Sequence, residues 1–169
     1  MRRALDALYD GAAWLAALAA VGLLLMVLLS IAGRQLQFHV PGTDAYAGYL
    51  MAACGYLALA HTLKHGEHIR VTLLLNALQG QARRALELWA LAAASALAAL
   101  GAWYGVRLVW QSHQFHDIST GSDATPLWLP QLAAAAGSLI LLLAFVDELV
   151  LEWRGPRVVP GSDEALHHE

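Results

Sequence analysis

The side chains most able to do chemistry are histidines. His61, His65 and His68 stand at i, i+4 and i+7. On a continuous helix this spacing places three imidazoles on one face, which is what a zinc ion or a haem iron would need. Gly66 interrupts such a helix, and the run lies at the edge of an apolar block, where histidine is normally solvated. No metal or cofactor site is assigned to it. His113 and His116 belong to a different connection and cannot join the first three. His116, Asp117, Ser119 and Ser122 offer the residue types of a hydrolytic triad, but nothing there resembles a nucleophile elbow. No catalytic residue is assigned, and the chain does not read as an enzyme. The single cysteine, Cys54, excludes an intrachain disulfide framework and a CxxC metal site.

The elements that would have to position these groups are apolar. Of 169 residues, 59% are hydrophobic and 14% charged, against roughly 45–50% and about 25% in soluble domains. The net charge of -3 leaves no basic excess for a nucleic-acid backbone. The apolar residues gather in four uncharged blocks: Gly11 to Gly33, Ala45 to Leu63, Leu88 to Val106 and Ala124 to Val146. Each is long enough to cross a bilayer as a helix. The expected fold is all-α: an integral membrane four-helix bundle with an amphipathic in-plane helix between spans two and three. The four-span domain covers residues 1–155, with spans near 11–33, 45–63, 86–107 and 126–148. A polar tail follows over 156–169. The first block exceeds the apolar core of a signal peptide, about 7–15 residues, and Asp6 and Asp10 weaken a positive leader, so it reads as an uncleaved span. Pro126 and Pro130 fall in the first turns of span four, where missing N–H groups cost least.

Basic residues set orientation. The N-terminus, the connection between spans two and three, and the tail share one side and hold eight of the ten Lys and Arg residues. Arg34 and Arg107 lie on the other side. Both termini are therefore expected in the cytoplasm. All six tryptophans lie near block ends, as an interfacial belt requires. In the cytoplasmic connection, Val71, Leu74, Leu75, Leu78, Ala82 and Leu86 follow the spacing of one helical face. Two readings stand for this stretch. It is an in-plane helix over about 69–79 that lies among the lipid headgroups and braces something, or a cytoplasmic extension of span three. Small residues recur at four-residue spacing (Ala12, Ala16 and Ala20; Gly48 and Ala52; Gly101 and Gly105; Ala133 and Gly137), which lets helices approach closely in lipid. Asp147, Glu148 and Glu152 read as a polar stop after span four. Arg34 and Asp44 bracket a short outer loop and either pair or are simply solvated. No charged residue lies inside any block, whereas ion-coupled pumps carry an ionisable group within the membrane.

Two stretches resemble a known family. Gly33-Arg34, Asp44 and the run Gly66-Glu67-His68-Ile69-Arg70-Val71 match one pattern in order, and Pro126, Trp128, Pro130 and Gly137 match a later one. Together they resemble the small membrane subunit, of DctQ type, of tripartite ATP-independent periplasmic (TRAP) transporters, over roughly residues 5–153. The chain departs from that pattern at Ala45, where many members carry a second acidic residue, and at Ala135-Ala136, where many carry a proline. The resemblance implies a subunit of a sodium-driven secondary transporter in the bacterial inner membrane. In such systems a periplasmic binding protein delivers an organic acid, and a large multi-span subunit holds the substrate and sodium sites and moves as an elevator. The small subunit is implied to be its rigid scaffold or stator, with no cofactor of its own. Partner-interface or membrane-anchoring residues are then expected among Arg34, Asp44, Glu67, His68, Arg70, Val71, Leu74, Leu78, Pro126, Trp128 and Pro130. The expected contacts are the large subunit, the binding protein and membrane lipids. The competing reading is a haem-bearing membrane anchor of a redox complex, against which only His61 lies inside a block. A third is a self-contained small exporter, against which the missing buried charge weighs.

Overall fold

The structure is a computed structural model, and it describes residues 2–38, 40–64 and 81–155. Four helices occupy almost all of them: α1 (Arg2–Gln35), α2 (Thr43–Lys64), α3 (Gln81–Gln114) and α4 (Trp128–Arg154). The stretches expected near 11–33, 45–63 and 86–107 lie within α1, α2 and α3, and the one near 126–148 begins two residues before α4. The expected in-plane helix over 69–79 and the tail over 156–169 lie outside the described residues.

α1 and α2 form one hairpin, α3 and α4 the other, and α2 packs against α4. The order across the array is α1–α2–α4–α3, with α1 and α3 at opposite edges. The bundle is thus open rather than closed around a central core. Contacts at both ends show that α2 and α4 run in the same direction, since their starts meet through Tyr46 and Thr125 and their ends through Lys64 and Asp147. We call the end where α1 starts and α4 stops the base, and the opposite end the loop end.

Small residues set the closeness of these helices. On α1, Tyr9, Ala12, Ala16 and Ala19 are buried, and the face continues through Gly22, Met26, Ser30 and Gly33. This alternation of three and four is the 3.5-residue period of a left-handed helix pair. The strict four-residue stripe expected from the sequence is corrected at its last member: Ala20 faces outward and Ala19 inward. Between α2 and α4 the approach is close at Gly137, where a Cβ would lie 2.5 Å from the Tyr56 carbonyl oxygen. Gly48 and Ala52 line an open apolar groove on α2 with Met51, Gly55, Tyr56 and Leu59, so that pair does not pack inside the array.

The outer faces carry large apolar side chains. Trp14 is 73% exposed, Trp103 69% and Leu18 64%, an arrangement that water would not tolerate over a contiguous surface. Helical stretches Leu5–Gln35, Gln81–Gln114 and Trp128–Arg154 are long and apolar enough to cross a membrane. α2 has 22 residues, or about 33 Å at ~1.5 Å each. Its hydropathy is diluted by Tyr46, Tyr49, Tyr56, two glycines and His61. Its place between α1 and α4 shields part of that weaker surface.

Candidate functional site

Polar side chains gather at the two ends of the array, and what they do is join helices. At the base, Lys64 is the last residue of α2. Its ammonium is bound by Asp147 of α4 and lies 3.4 Å from Glu148. It also sits over the Tyr9 ring of α1, 5.3 Å from the centroid, within the range of a cation–π contact. His61 Nδ1 lies 3.6 Å from Asp10 Oδ1, a second link from α2 to α1. Beneath these groups Tyr9, Ala60, Leu63 and Ala144 form the apolar core of the base. Glu148 is 5% exposed, and the Lys64 ammonium beside it offsets part of the cost of burying its charge. One turn further on, the Arg84 guanidinium of α3 donates to the carbonyls of Trp153, at 3.2 Å, and Glu152, at 3.5 Å. A cation there meets the orphan carbonyls and the negative end of α4. All four helices are therefore joined by polar contacts at this end.

The polar stop expected at Asp147, Glu148 and Glu152 also joins helices. Asp147 and Glu148 hold Lys64, and the Glu152 carbonyl accepts from Arg84. A sequence signal existed. Two spans running the same way each end, at the same edge, in an ion of opposite sign.

At the loop end, α1 and α3 close in the same way. Gln37 and His116 adopt φ of 55°, and the N–H groups of Phe38 and Asp117 reach back to the carbonyls of Gly33 and Ser112, both at 3.0 Å. These are Schellman closures with a non-glycine residue in the left-handed position. The α3–α4 connection folds back on itself, Ser119 N–H donating to Thr125 O at 2.8 Å and Leu127 N–H to Asp117 O at 3.0 Å. Asp123 then fastens it to α2. The Tyr49 hydroxyl donates to its carboxylate at 3.1 Å and the Ser119 hydroxyl at 2.7 Å, while Thr125 donates to the Tyr46 hydroxyl at 3.1 Å. Hydrogen bonding led by the Ser119 hydroxyl, with Tyr49 also donating, holds the Asp123 carboxyl below the ordinary range, at about 2. Gly42, at φ 83°, packs against the Asp123 side chain, where a Cβ would come within 2.7 Å. Ser119 and Asp123 thus serve as fasteners of this loop.

The described site residues expected from sequence separate into two places. Arg34, in the last turn of α1, and Asp44, in the first turn of α2, are placed favourably for their helix dipoles. They make no ion pair with each other among the described residues. Asp44 instead accepts from Ser30 at 3.4 Å, and both line an open cleft of about 330 Å³ with Gly33, Phe38 and Thr43. Pro126 precedes α4, bridged to Ile118, and Pro130 lies in its first turn. Trp128 meets His113 edge-to-face, with ring centroids 5.3 Å apart. Glu67, His68, Arg70, Val71, Leu74 and Leu78 lie outside the described residues, as does His65. Of the three-histidine run, His61 alone is described, and its neighbour is a carboxylate. Among the described residues no three His, Cys, Asp or Glu side chains form a metal-binding group, and nothing supports the haem-bearing alternative.

Comparison with known proteins gives one result. Residues 23–155, most of the chain, match the family described as tripartite ATP-independent periplasmic transporters, DctQ component. None of the curated proteins compared matches the chain.

Proposed function

We propose a bracing role for this chain, which belongs to the DctQ component family of the tripartite ATP-independent periplasmic transporters. It is a membrane protein and a transporter component, and the family is not one of enzymes. In this reading it is the small membrane subunit of a sodium-coupled transporter that imports an organic acid handed over by a periplasmic binding protein. A large multi-span subunit carries the solute, and this chain is the scaffold against which that subunit moves. All four helices cross the bacterial inner membrane, α2 included, with both termini in the cytoplasm.

The observation that carries the bracing role is the fastening of the array at both ends. A subunit that moved solute by changing shape would need a bistable element. Here α2 and α4 are tied by Lys64, Asp147 and Glu148 at the base and by Asp123 and Thr125 at the loop end. The four uncharged blocks hold no Asp, Glu, Lys or Arg, so no charge inside a block is at hand to couple an ion to a solute. The eight-to-two division of basic residues supports the orientation.

Purification in mild detergent tests the partnership. The chain should retain a multi-span membrane protein. Vesicles holding both, given the binding protein and an inward sodium gradient, should accumulate an organic acid. Vesicles holding this chain alone should accumulate nothing, and uptake by the chain alone would overturn the reading.

A further inference from the structure

α1 and α2, and likewise α3 and α4, are joined through the loop end, so a connection fixes how far each helix sits along its partner. α2 and α4 have no such connection. They are neighbours that run in parallel, and the covalent path between them at the base passes through the whole of α3. Their packing surface includes small residues, among them Ala60, Gly137 and Ala144. A displacement of one helical turn, about 5.4 Å, would bring Ala133 or Leu141 to the place of Gly137 against Tyr56. Leu141 would clash there. Ala133 would set a Cβ where it meets the Tyr56 carbonyl oxygen at 2.5 Å, a smaller overlap than that of Leu141, so apolar packing opposes this direction less strongly than the other.

We propose that the polar contacts at the two ends act together as a register lock between α2 and α4. With Ala133 opposite Tyr56, Lys64 would face Leu143 and Ala144, and its ammonium would lose both carboxylates in a site where it is 17% exposed. In the other direction Lys64 would find Glu152, but Leu141 would be driven onto Tyr56. In both directions Tyr49 leaves Asp123 and Tyr46 leaves Thr125. The base alone does not exclude both displacements, and the loop end alone offers only exchangeable hydroxyl contacts. Lys64, Tyr49 and Asp123 are thus positioning residues for one hairpin against the other. This inference concerns the chain itself and stands whichever companion it has.

The test measures distances between spin labels in the full chain in lipid nanodiscs, on a Cys54→Ser background. Labels at Leu15, 57% exposed on α1, and Leu108, 50% exposed on α3, lie towards opposite ends of opposite edges, so sliding of one hairpin along the other changes their separation. The native chain should give one narrow distance. Lys64→Met combined with Tyr49→Phe should add a second population displaced by up to the ~5.4 Å of one turn. A single unshifted distance in that variant overturns the lock. If it does not fold, Lys64→Met, Asp147→Leu and Glu148→Leu together with Tyr49→Phe removes the charges of the Lys64 cluster and is read in the same way. Loss of folding in that variant also overturns the proposal, because a register lock chooses between folded states.

Discussion

Asp123 shows how much one side chain at the loop end controls. Its carboxylate collects the Ser119 and Tyr49 hydroxyls, and its side chain fills the space left by Gly42. The carboxyl is held at about 2, below the ordinary value near 3.9. A carboxyl depressed by folding stabilises the folded form fully above its unfolded value and loses that contribution as pH falls through the folded one. The fastening should therefore be intact at neutral pH and weaken from about pH 4 down to about pH 2. Trp128, half-buried beside His113, reports on it. In a chain keeping Trp128 as its lone tryptophan, the emission should shift across that window, and Asp123→Asn should remove the transition. An identical transition in the variant would show that another group is responsible. The sequence displayed Asp123 as the boundary of an apolar block but not its partners, because Tyr49 lies 74 positions away and no local pattern joins the two. The same holds for Lys64 and Asp147, 83 positions apart.

Helices, by contrast, were legible because their signal is local. Long uncharged blocks fix spans, and α1, α3 and α4 satisfy length and hydropathy together. The inward face of α1 was nearly legible: Ala12 and Ala16 were found, and only the drift from a four-residue to a 3.5-residue period turned Ala19 inward in place of Ala20. α2 is harder to read because its tyrosines, glycines and His61 dilute its hydropathy. The glycines themselves offer a graded test of helix approach. A Cβ at Gly137 would lie 2.5 Å and 2.6 Å from the carbonyl oxygen and carbon of Tyr56, at Gly105 it would lie 3.4 Å from Ala135 Cα, and at Gly101 it would meet nothing within 4 Å. Backbone cannot swing aside, so Gly137→Ala should cost about 1–3 kcal/mol, the usual cost of overpacking. Gly105→Ala should be tolerated. Gly101→Ala should be neutral or stabilising by up to ~1 kcal/mol through helix propensity. Denaturation in mixed detergent, followed by helical circular dichroism, measures the series. Equal effects at the three positions would remove Gly137 as a close point of the α2–α4 contact.

At the scale of the whole molecule, an open array leaves much apolar surface facing outward and little buried core, so lipid and companion chains must supply what a closed bundle finds within itself. A brace must also resist being dragged by whatever moves beside it. Polar contacts at both ends resist internal sliding, but they do not hold the array against the bilayer. We propose that this is the task of Val71, Leu74 and Leu78, which share the spacing of one helical face in the sequence between α2 and α3, near Lys64, Arg70, Arg83 and Arg84. Apolar side chains on one face with basic groups near its ends suit the headgroup plane, and a fully buried Leu or Val contributes roughly 1.5–3 kcal/mol. Changing Val71, Leu74 and Leu78 together to Ser should therefore remove several times ~1 kcal/mol of membrane attachment while leaving the contacts of the four helices in place. The expected result is a chain that still inserts and keeps its native helical content. Its yield of complex with the large subunit, or the rate of solute uptake by that complex, should fall severalfold. Unchanged yield and unchanged uptake would discard the anchoring role of this face and leave the polar ties of the array to do the bracing alone.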